Sequence, residues 1–326
     1  MGKKKKQIVF IVCIVVAVLI AGVVFVIASR KEKLPTDYTE SERDDLVVYK
    51  GKKYEYNEHL SNYLFLGIDT FEAVDTYETQ EDAGQADTIM LVSYDRVKNT
   101  MTCLAIPRDS MTNIHMIAMD GTDLGTAEDH INIQYAFGDG KHKSCELMKN
   151  TVEEVLYGVP ITGYCSLNIE GIPLLSRAIG EMQVTIPNSS LEEMNPLYKE
   201  GATITVNEEN AELFVRYRNI NITHSAMDRS ERQKVYVKAF AQKAKEMVKE
   251  DKDFIVDAYD ILKPYMVTNI SNDVFAKLSQ ADSDFSQEIK NIPGEKVDGI
   301  DFDEYHINET QLYELVLQMF YVEVEE

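Results

Sequence analysis

Two aspartates next to predicted strands could hold a divalent cation. Asp69 follows the apolar run 63–66, which predicts a buried strand closed by Gly67. Asp87 directly precedes a second apolar run, 88–94. If these two strands are neighbours, both carboxylates lie at one rim of a sheet, where α/β proteins usually bind ligands. Two carboxylates and phosphate oxygens suit Mg²⁺, although aspartates are also common in turns and caps.

Arginines at two further places could bind an anion. Arg108 follows a third predicted strand, 101–106, and its fork-shaped guanidinium suits phosphate oxygens. An ion pair between Arg108 and Asp109 explains this dipeptide equally well. Arg216 and Arg218 would share one face of an extended segment. Two like charges on one face repel each other, so an anion between them is mildly favoured.

A helix start is predicted at Asp228, which has capping-box spacing with Glu231. Arg229, Arg232 and Gln233 then fall on one face of the first turns. Arginines oppose the helix dipole at this end, so a bound anion would explain their presence. A solvated charged face is the alternative.

Strands and helices alternate along the chain, which predicts an α/β domain. An acidic, polar loop is predicted at 71–86, and a hairpin turn at Lys98 and Asn99. A fourth strand is predicted at 184–186. Helices are predicted at 130–137, 145–156 and 228–248, with a helix–strand element starting at 207. Nothing between residues 50 and 326 resembles a linker, so a single domain is expected.

The N-terminus predicts a membrane anchor. A basic head, residues 1–7, precedes the uncharged apolar run 8–28, whose helix would span roughly 30 Å. A cleaved signal peptide is the alternative, but its apolar region would be shorter. The basic head favours an inner N-terminus. We therefore expect a single-pass cell-membrane protein, with a stalk at 29–59 and an extracellular domain at 60–326.

The charge of the chain argues against nucleic acid as a partner. The net charge of the 326 residues is −22. Beyond residue 33, 26 basic residues face 54 acidic ones, a net charge of −28. A polyanion would be repelled by such a domain, so any anion site must be a local basic cluster.

The cysteines beyond the predicted anchor do not have the spacing of a zinc site. Cys103 lies in an apolar run and is expected in the core. Cys145 and Cys165 could form a disulfide, but spacing alone does not decide this.

Taken in order, these stretches resemble the LytR-CpsA-Psr family, the wall-glycopolymer ligases of Gram-positive bacteria. The similarity covers nearly all of residues 60–326, and its order and spacing make it specific. It rests on the segments 62–69, 86–93, 105–109, 130–138, 164–171, 214–218, 229–233, 292–295 and 308–321.

The resemblance implies an α-β-α sandwich domain preceded by one transmembrane helix. It implies a phosphotransferase that attaches a glycopolymer from an undecaprenyl-pyrophosphate carrier to peptidoglycan, assisted by Mg²⁺. Asp69 and Asp87 match the metal ligands of the family. They are also expected to be catalytic, together with Arg108 and Asp109. The residues expected to grip the pyrophosphate are Arg108, Arg216, Arg218, Arg229, Arg232 and Gln233.

Two positions depart from the family pattern. Gln85 stands where members usually have an arginine, and Thr70-Phe71 stands where they often have another. Fewer phosphate contacts would suit two alternative functions. One is a membrane-anchored receptor or regulator that binds prenyl pyrophosphate without turnover. The other is a hydrolase that uses water as the acceptor.

Overall fold

A computed structural model describes residues 46–219, 225–251, 253–281, 289–299 and 303–324. The predicted basic head and apolar run lie outside these residues. No helix among the residues described is both long and apolar enough to cross a bilayer.

Strands and helices alternate, as the sequence predicts. The strands are β1 Leu46–Tyr49, β2 Lys52–Tyr56, β3 Leu60–Ile68, β4 Ala86–Asp95, β5 Thr100–Ile106, β6 Met111–Ile117, β7 Asp123–His130, β8 Gly163–Asn168, β9 Met182–Thr185, β10 Thr203–Val206, β11 Met266–Thr268, β12 Lys290–Asn291, β13 Gly294–Asp298, β14 Asp303–Ile307 and β15 Tyr321–Val324. The helices are α1 His142–Val155, α2 Gly171–Ile179, α3 Ala211–Arg216, α4 Ser225–Glu250, α5 Phe254–Leu262, α6 Asn272–Gln280 and α7 Glu309–Phe320.

A six-stranded sheet in the order β11-β8-β3-β4-β5-β12 forms the centre of the domain. β3 runs parallel to β8 and antiparallel to β4, and β4 is antiparallel to β5. Both faces of β3 are covered, so its residues from Ser61 to Ile68 are all buried. Such burial explains the continuous apolar run, because a strand without a solvent face needs no polar alternation.

Helices cover both faces of this sheet, as a sandwich requires. On the first face, Tyr63 and Phe65 pack with a cluster that includes residues of α2 to α6. On the second face, Leu64 and Leu66 pack with residues of α1, α7 and the short 3-10 helix Ile131–Phe137. The alternation of side chains along β3 produces this division. The predicted α/β layering is therefore confirmed for the described part of the chain.

The predicted stalk differs from the structure at its C-terminal end. β1 and β2 form a three-stranded sheet with β15, and the Tyr56 and Tyr321 rings meet edge to face, 5.7 Å apart. The folded domain thus includes residues from Leu46 onward, whereas 60 was predicted. This pairing joins segments more than 260 residues apart, so local sequence patterns could not indicate it.

The possible disulfide between Cys145 and Cys165 is absent. Both thiols are buried and unbonded, and the Cys145 Sγ lies 3.5 Å from the Ser166 Oγ. Burial raises the pKa of Cys145 to about 12, so the thiol stays protonated and unreactive. Cys103 is also buried, as predicted.

Candidate functional site

Three strand ends meet at one rim of the central sheet. β3 ends at Ile68, and the antiparallel pairing places the start of β4 beside it. Ile89 of β4 pairs with Ile106 at the end of β5. Asp69, Asp87 and Arg108 therefore come together, and the predicted proximity of the two aspartates is confirmed.

The main chain of Gln85 holds the two aspartates in register. The Gln85 carbonyl oxygen accepts hydrogen bonds from the backbone N–H groups of Asp69 and Asp87, each at 3.1 Å. The Gln85 N–H donates to the Asp69 Oδ1 at 2.5 Å. These hydrogen bonds form where the pairing of β3 with β4 shifts register between Gly67 and Ile68. We call Asp69, Gln85 and Asp87 the carboxylate rim.

Gly84 lets the loop approach the carboxylate rim closely. Its φ is +69°, a left-handed conformation that favours glycine. A Cβ at this position would lie 2.9 Å from the Asp69 Oδ1. Any larger residue would therefore displace the carboxylate.

The electrostatics of the rim favour a cation. Burial raises the pKa of the Asp69 carboxyl, and the neighbouring Asp87 carboxylate raises it further. The Gln85 N–H and Arg108 oppose that rise. Within the part of the chain that is described, no group of three or more His, Cys, Asp or Glu could hold a metal ion. A cation here would have two protein carboxylates and would complete its shell with water or phosphate, as Mg²⁺ commonly does.

Arg108 connects the rim to neighbouring charges. Its Nη1 donates to the Asp87 Oδ1, and its Nε donates to the Asp109 Oδ1 at 3.1 Å. Burial lowers the pKa of Arg108, but the two carboxylates more than offset this and leave the pKa raised. The Arg108–Asp109 ion pair that the sequence left open is therefore present, and Arg108 also contacts the rim.

The side chain of Gln85 is directed away from the aspartates. Its Oε1 accepts a hydrogen bond of 3.0 Å from the Asn132 Nδ2. Asn132 also donates its backbone N–H to the Arg108 carbonyl oxygen at 3.2 Å. Gln85, one of the departures from the family pattern, therefore links the rim to the 3-10 helix Ile131–Phe137 through its side chain.

The predicted extended conformation around Arg216 is wrong. Arg216 is the last residue of α3, and extended backbone begins only at Tyr217. The Arg216 Nη1 pairs with the Glu212 Oε1 one turn earlier, and its guanidinium lies 5.3 Å from the Phe71 ring centroid. Helical i,i+4 pairing and a cation–π contact position this arginine.

The predicted helix start at Asp228 is also wrong, because α4 begins at Ser225. Arg229 thus lies in the second turn of α4 and is not a first-turn residue. Burial lowers the pKa of Arg229, and the like charges of Arg218, Arg108 and Arg216 lower it further.

Four guanidinium groups are therefore close enough to interact. The Asp87 carboxylate opposes their effect on Arg229. The buried Nε of Arg229 has no hydrogen-bond partner. We call Arg108, Arg216, Arg218 and Arg229 the arginine cluster. A partnerless buried donor among like charges is a site that an anion would satisfy.

Arg232 and Gln233 differ from their expected placement against a ligand. The Arg232 side chain is fully buried, and its Nε donates to the Phe214 carbonyl oxygen at 2.8 Å. Its Nη1 and Nη2 donate to the Ser190 Oγ and the Tyr217 carbonyl oxygen. Buried Gln233 donates through its Nε2 to the Val215 carbonyl oxygen at 2.9 Å, while its Oε1 has no partner. Both side chains hold the 214–217 segment against α4.

Sequence patterns did not indicate the residues that support this segment. Asn188 donates through its Nδ2 to the Asp228 carbonyl oxygen and to the Glu231 Oε2, both at 2.9 Å. Ser190 donates through its Oγ to the Asn188 Oδ1 at 2.6 Å. Asn188 lies about 40 residues before Asp228 and Glu231, and Ser190 lies 42 residues before Arg232, so no local spacing could indicate these contacts.

Known proteins show similarity to most of the described domain. A sequence model of the LytR_cpsA_psr family matches residues 24–319. The polyisoprenyl-teichoic acid–peptidoglycan teichoic acid transferase TagU of Bacillus cereus is 31% identical over 186 residues, 56% of this chain and 54% of that protein. TagV of Bacillus subtilis, with the same activity in its name, is 26% identical over 202 residues, 60% of this chain and 45% of that protein. The chain spans about half the length of these relatives.

Solved structures share the fold. A protein of Streptococcus agalactiae has a TM-score of 0.61 at 19% identity, covering 81% of this chain and 91% of that one. TagT bound to LI-WTA has a TM-score of 0.56 at 20% identity, covering 80% and 89%. TagU of B. subtilis has a TM-score of 0.53 at 19% identity, covering 80% and 96%. With the family match over most of its length, the chain belongs to the LytR_cpsA_psr family.

Proposed function

We propose that this protein transfers a glycopolymer from a polyprenyl-pyrophosphate carrier to peptidoglycan. The observation that supports this most strongly is the arginine cluster beside the carboxylate rim. Four guanidinium groups lie within electrostatic range, and the buried Nε of Arg229 has no partner. A pyrophosphate would satisfy that donor and neutralise the cluster.

The names of the relatives support the substrate class. TagU of B. cereus and TagV of B. subtilis are named as transferases of polyisoprenyl-linked teichoic acid to peptidoglycan. A teichoic acid is therefore the first donor glycan to test with this protein.

The carboxylate rim is suited to a Mg²⁺ ion, held by Asp69 and Asp87. The ion would neutralise negative charge on the pyrophosphate, which phosphoryl transfer requires. The raised pKa of Asp69 reflects burial and the nearby Asp87 carboxylate, both of which a cation would counter.

The protein side chains would perform the remaining steps. The arginine cluster binds the pyrophosphate and stabilises the departing prenyl phosphate. A peptidoglycan hydroxyl attacks the sugar-linked phosphorus, and the bond from this phosphorus to the prenyl phosphate oxygen breaks. Asp69 or Asp109 accepts the hydroxyl proton. Arg232 and Gln233 position the 214–217 segment and, through it, Arg216 and Arg218.

One assay tests this function and separates it from the two alternatives. The full-length protein in detergent is incubated with Mg²⁺, an undecaprenyl-pyrophosphate-linked glycan labelled in its sugar, and peptidoglycan fragments. Label on the acceptor supports the transferase. Free phosphorylated glycan indicates a hydrolase, and binding without either product indicates a receptor.

We also propose that residues 8–28 anchor the protein in the cell membrane, with the domain outside. The uncharged length of this run supports the anchor. The basic residues before the run support the orientation. Protease added to intact cells with opened walls should cleave the domain. Full protection of the domain would reverse the proposed orientation.

A further inference from the structure

An open groove of ≈ 470 Å³ adjoins the carboxylate rim. Its volume falls within the roughly 300–1,000 Å³ that small-ligand sites usually have. The described residues that line it come from the loop before β4, the β6–β7 hairpin and the 3-10 helix Ile131–Phe137. They are Gln80, Glu81, Gly84, Gln85, Ile117, Ala118, Met119, Leu124, Ile133, Ala136 and Phe137.

Hydrogen bonds fix the walls of this groove. The Gln80 Nε2 donates to the Ile117 carbonyl oxygen at 3.1 Å. Fully buried Gln134 accepts from the His115 N–H at 2.6 Å and donates to the His115 carbonyl oxygen at 2.9 Å. The hairpin is thereby attached to the 3-10 helix. The groove is a built feature of the fold, not a gap beside a loose hairpin.

The helix that forms one wall of the groove and the helix that carries Arg216 pack on opposite faces of the central sheet. Ile131 and Tyr135, from the 3-10 helix that forms one groove wall, belong to the core of the second face. Phe214 and Val215, which precede Arg216 in α3, belong to the core of the first face. The carboxylate rim lies between them, at the edge of the sheet.

The groove reaches the rim through two of its lining residues. Gln85 is part of both the groove wall and the rim. Gly84 approaches so closely that an added Cβ would lie 2.9 Å from the Asp69 Oδ1. A ligand in the groove would therefore end beside the carboxylates.

We propose that this groove binds the acceptor, a glycan strand of peptidoglycan, an inference that rests on the proposed transferase function. In phosphoryl transfer the attacking and leaving oxygens are roughly in line with the phosphorus. If Arg216, Arg218 and Arg229 hold the departing prenyl phosphate on the first face, the attacking hydroxyl arrives from the opposite side. The groove lies on that side and meets the rim.

The lining of the groove suits an acceptor sugar better than the donor polymer. Among the described lining residues, Glu81 is the only charged one, so an anionic wall polymer gains no cationic partner there. Two exposed apolar side chains, Met119 and Leu124, are 67% and 57% exposed. Apolar side chains pack on the carbon faces of sugar rings, while Gln80 and Gln85 offer amide groups for hydroxyls.

Two variants test the groove without altering the rim. Leu124→Asp places a charge on the groove surface, and Ala136→Tyr fills the groove. Because Leu124 is exposed, its replacement leaves the core intact. Val97→Asp is the matched control, since Val97 is 69% exposed and lies in the β4–β5 turn at the opposite end of those strands.

The experiment measures two affinities separately in the full-length protein with Mg²⁺. The probes are soluble peptidoglycan oligosaccharides and undecaprenyl pyrophosphate. We expect Leu124→Asp and Ala136→Tyr to weaken oligosaccharide binding by about tenfold, with lipid binding unchanged. Val97→Asp should match the wild type for both probes.

Three outcomes would overturn the proposal. They are oligosaccharide affinity equal in all variants, loss of lipid affinity instead, and no oligosaccharide binding by the wild type. Failure of the proposed transferase would look different. The wild type would then bind oligosaccharide in a groove-dependent way but would place no labelled glycan on the peptidoglycan fragments.

Discussion

The carboxylate rim and the arginine cluster are adjacent, yet the protein builds them in different ways. The rim is held by main-chain hydrogen bonds through Gln85, within two neighbouring strands. The cluster joins Arg108 with residues more than 100 positions later, and buried Arg232 holds the segment that leads to Arg218. The rim is thus held by short-range main-chain contacts, whereas the cluster depends on long-range packing and contains a buried donor, the Arg229 Nε, that has no hydrogen-bond partner. Four variants, ordered by expected effect, test this difference.

The largest effect is expected at the rim. Asp87→Ala should reduce Mg²⁺-dependent transfer by roughly a hundredfold to a thousandfold, because it removes half of the proposed cation site. The Asp87 side chain is 43% exposed, so the melting temperature should stay close to that of the wild type. Turnover with Mg²⁺ or a chelator measures the first effect, and thermal unfolding measures the second.

The control for Asp87→Ala is Asp75→Ala, which changes an exposed acid of the loop before the rim. It should leave both quantities unchanged. Full activity of Asp87→Ala, or wild-type activity with a chelator present, would remove the metal claim.

The next largest effect is expected at Arg232, and it should appear as lost stability. Arg232→Ala leaves two carbonyl groups and the Ser190 hydroxyl without their donor and opens a cavity. We expect the free energy of unfolding to fall by about 2–4 kcal/mol. Thermal unfolding should show a melting temperature lower by roughly 4–15 °C.

Arg232→Lys distinguishes positioning from direct ligand contact. Lysine restores the charge, but its compact ammonium cannot reach all three acceptors that the planar guanidinium spans, so only part of the stability should return. At temperatures where Arg232→Ala and Arg232→Lys are folded, both should bind the donor more weakly, because Arg216 and Arg218 are displaced. An unchanged melting temperature with weakened donor binding would show that Arg232 itself contacts the ligand.

Arg229 should behave in the opposite way. Arg229→Ala removes a buried donor that has no partner and relieves repulsion within the cluster, so the protein should melt at the wild-type temperature or higher. Donor affinity should fall by about tenfold to a hundredfold, since a charge-assisted contact to phosphate contributes roughly 1.5–3 kcal/mol. Calorimetric titration with undecaprenyl pyrophosphate measures the loss.

The result for Arg229 is also sensitive to salt. Added salt should narrow part of the difference in melting temperature between Arg229→Ala and the wild type, because it screens the partly exposed charges of Arg108 and Arg216, whose side chains are 43% and 39% exposed. A clear fall in melting temperature with unchanged donor affinity would make Arg229 a structural residue and contradict the proposed anion site.

The smallest effect is expected from the Gln85 side chain. Gln85→Ala keeps all three rim hydrogen bonds, which use main-chain atoms of residue 85, and loses the contact with Asn132 and one amide group of the groove lining. Transfer should stay within about threefold of the wild type. Gly84→Ala is the informative partner, because its Cβ would meet the Asp69 Oδ1 and its φ is left-handed. If Gln85→Ala lowered transfer more than Gly84→Ala, the main-chain account of the rim would be wrong.

Local sequence patterns were sufficient for one half of the site. The apolar runs that end at Gly67 and begin after Asp87 are short, uninterrupted and close in sequence. Antiparallel pairing of neighbouring strands then brings Asp69, Asp87 and Arg108 to one rim with little further information. The alternation of strands and helices along the chain also predicted the α/β class.

The other half of the site was misplaced because its conformation is set by partners distant in sequence. The pattern around Arg216 suits a strand, yet this residue ends helix α3. Asp228 and Glu231 have capping spacing, yet α4 starts at Ser225 and their groups bond to Asn188. Local propensity is weak, and tertiary contacts commonly override it.

The sequence by itself determined the family, the layered α/β class and the pairing of the two aspartates, because these depend on short-range patterns and on motif order. Only the tertiary structure decided which arginines find their hydrogen-bond partners within the protein. Arg229 and Arg232 are three residues apart on one helix, yet one keeps a donor without a partner while the other donates three hydrogen bonds inside the protein. Their roles differ because the burial and partners of a guanidinium are set by the segments that pack around it, and no spacing along a helix specifies those segments.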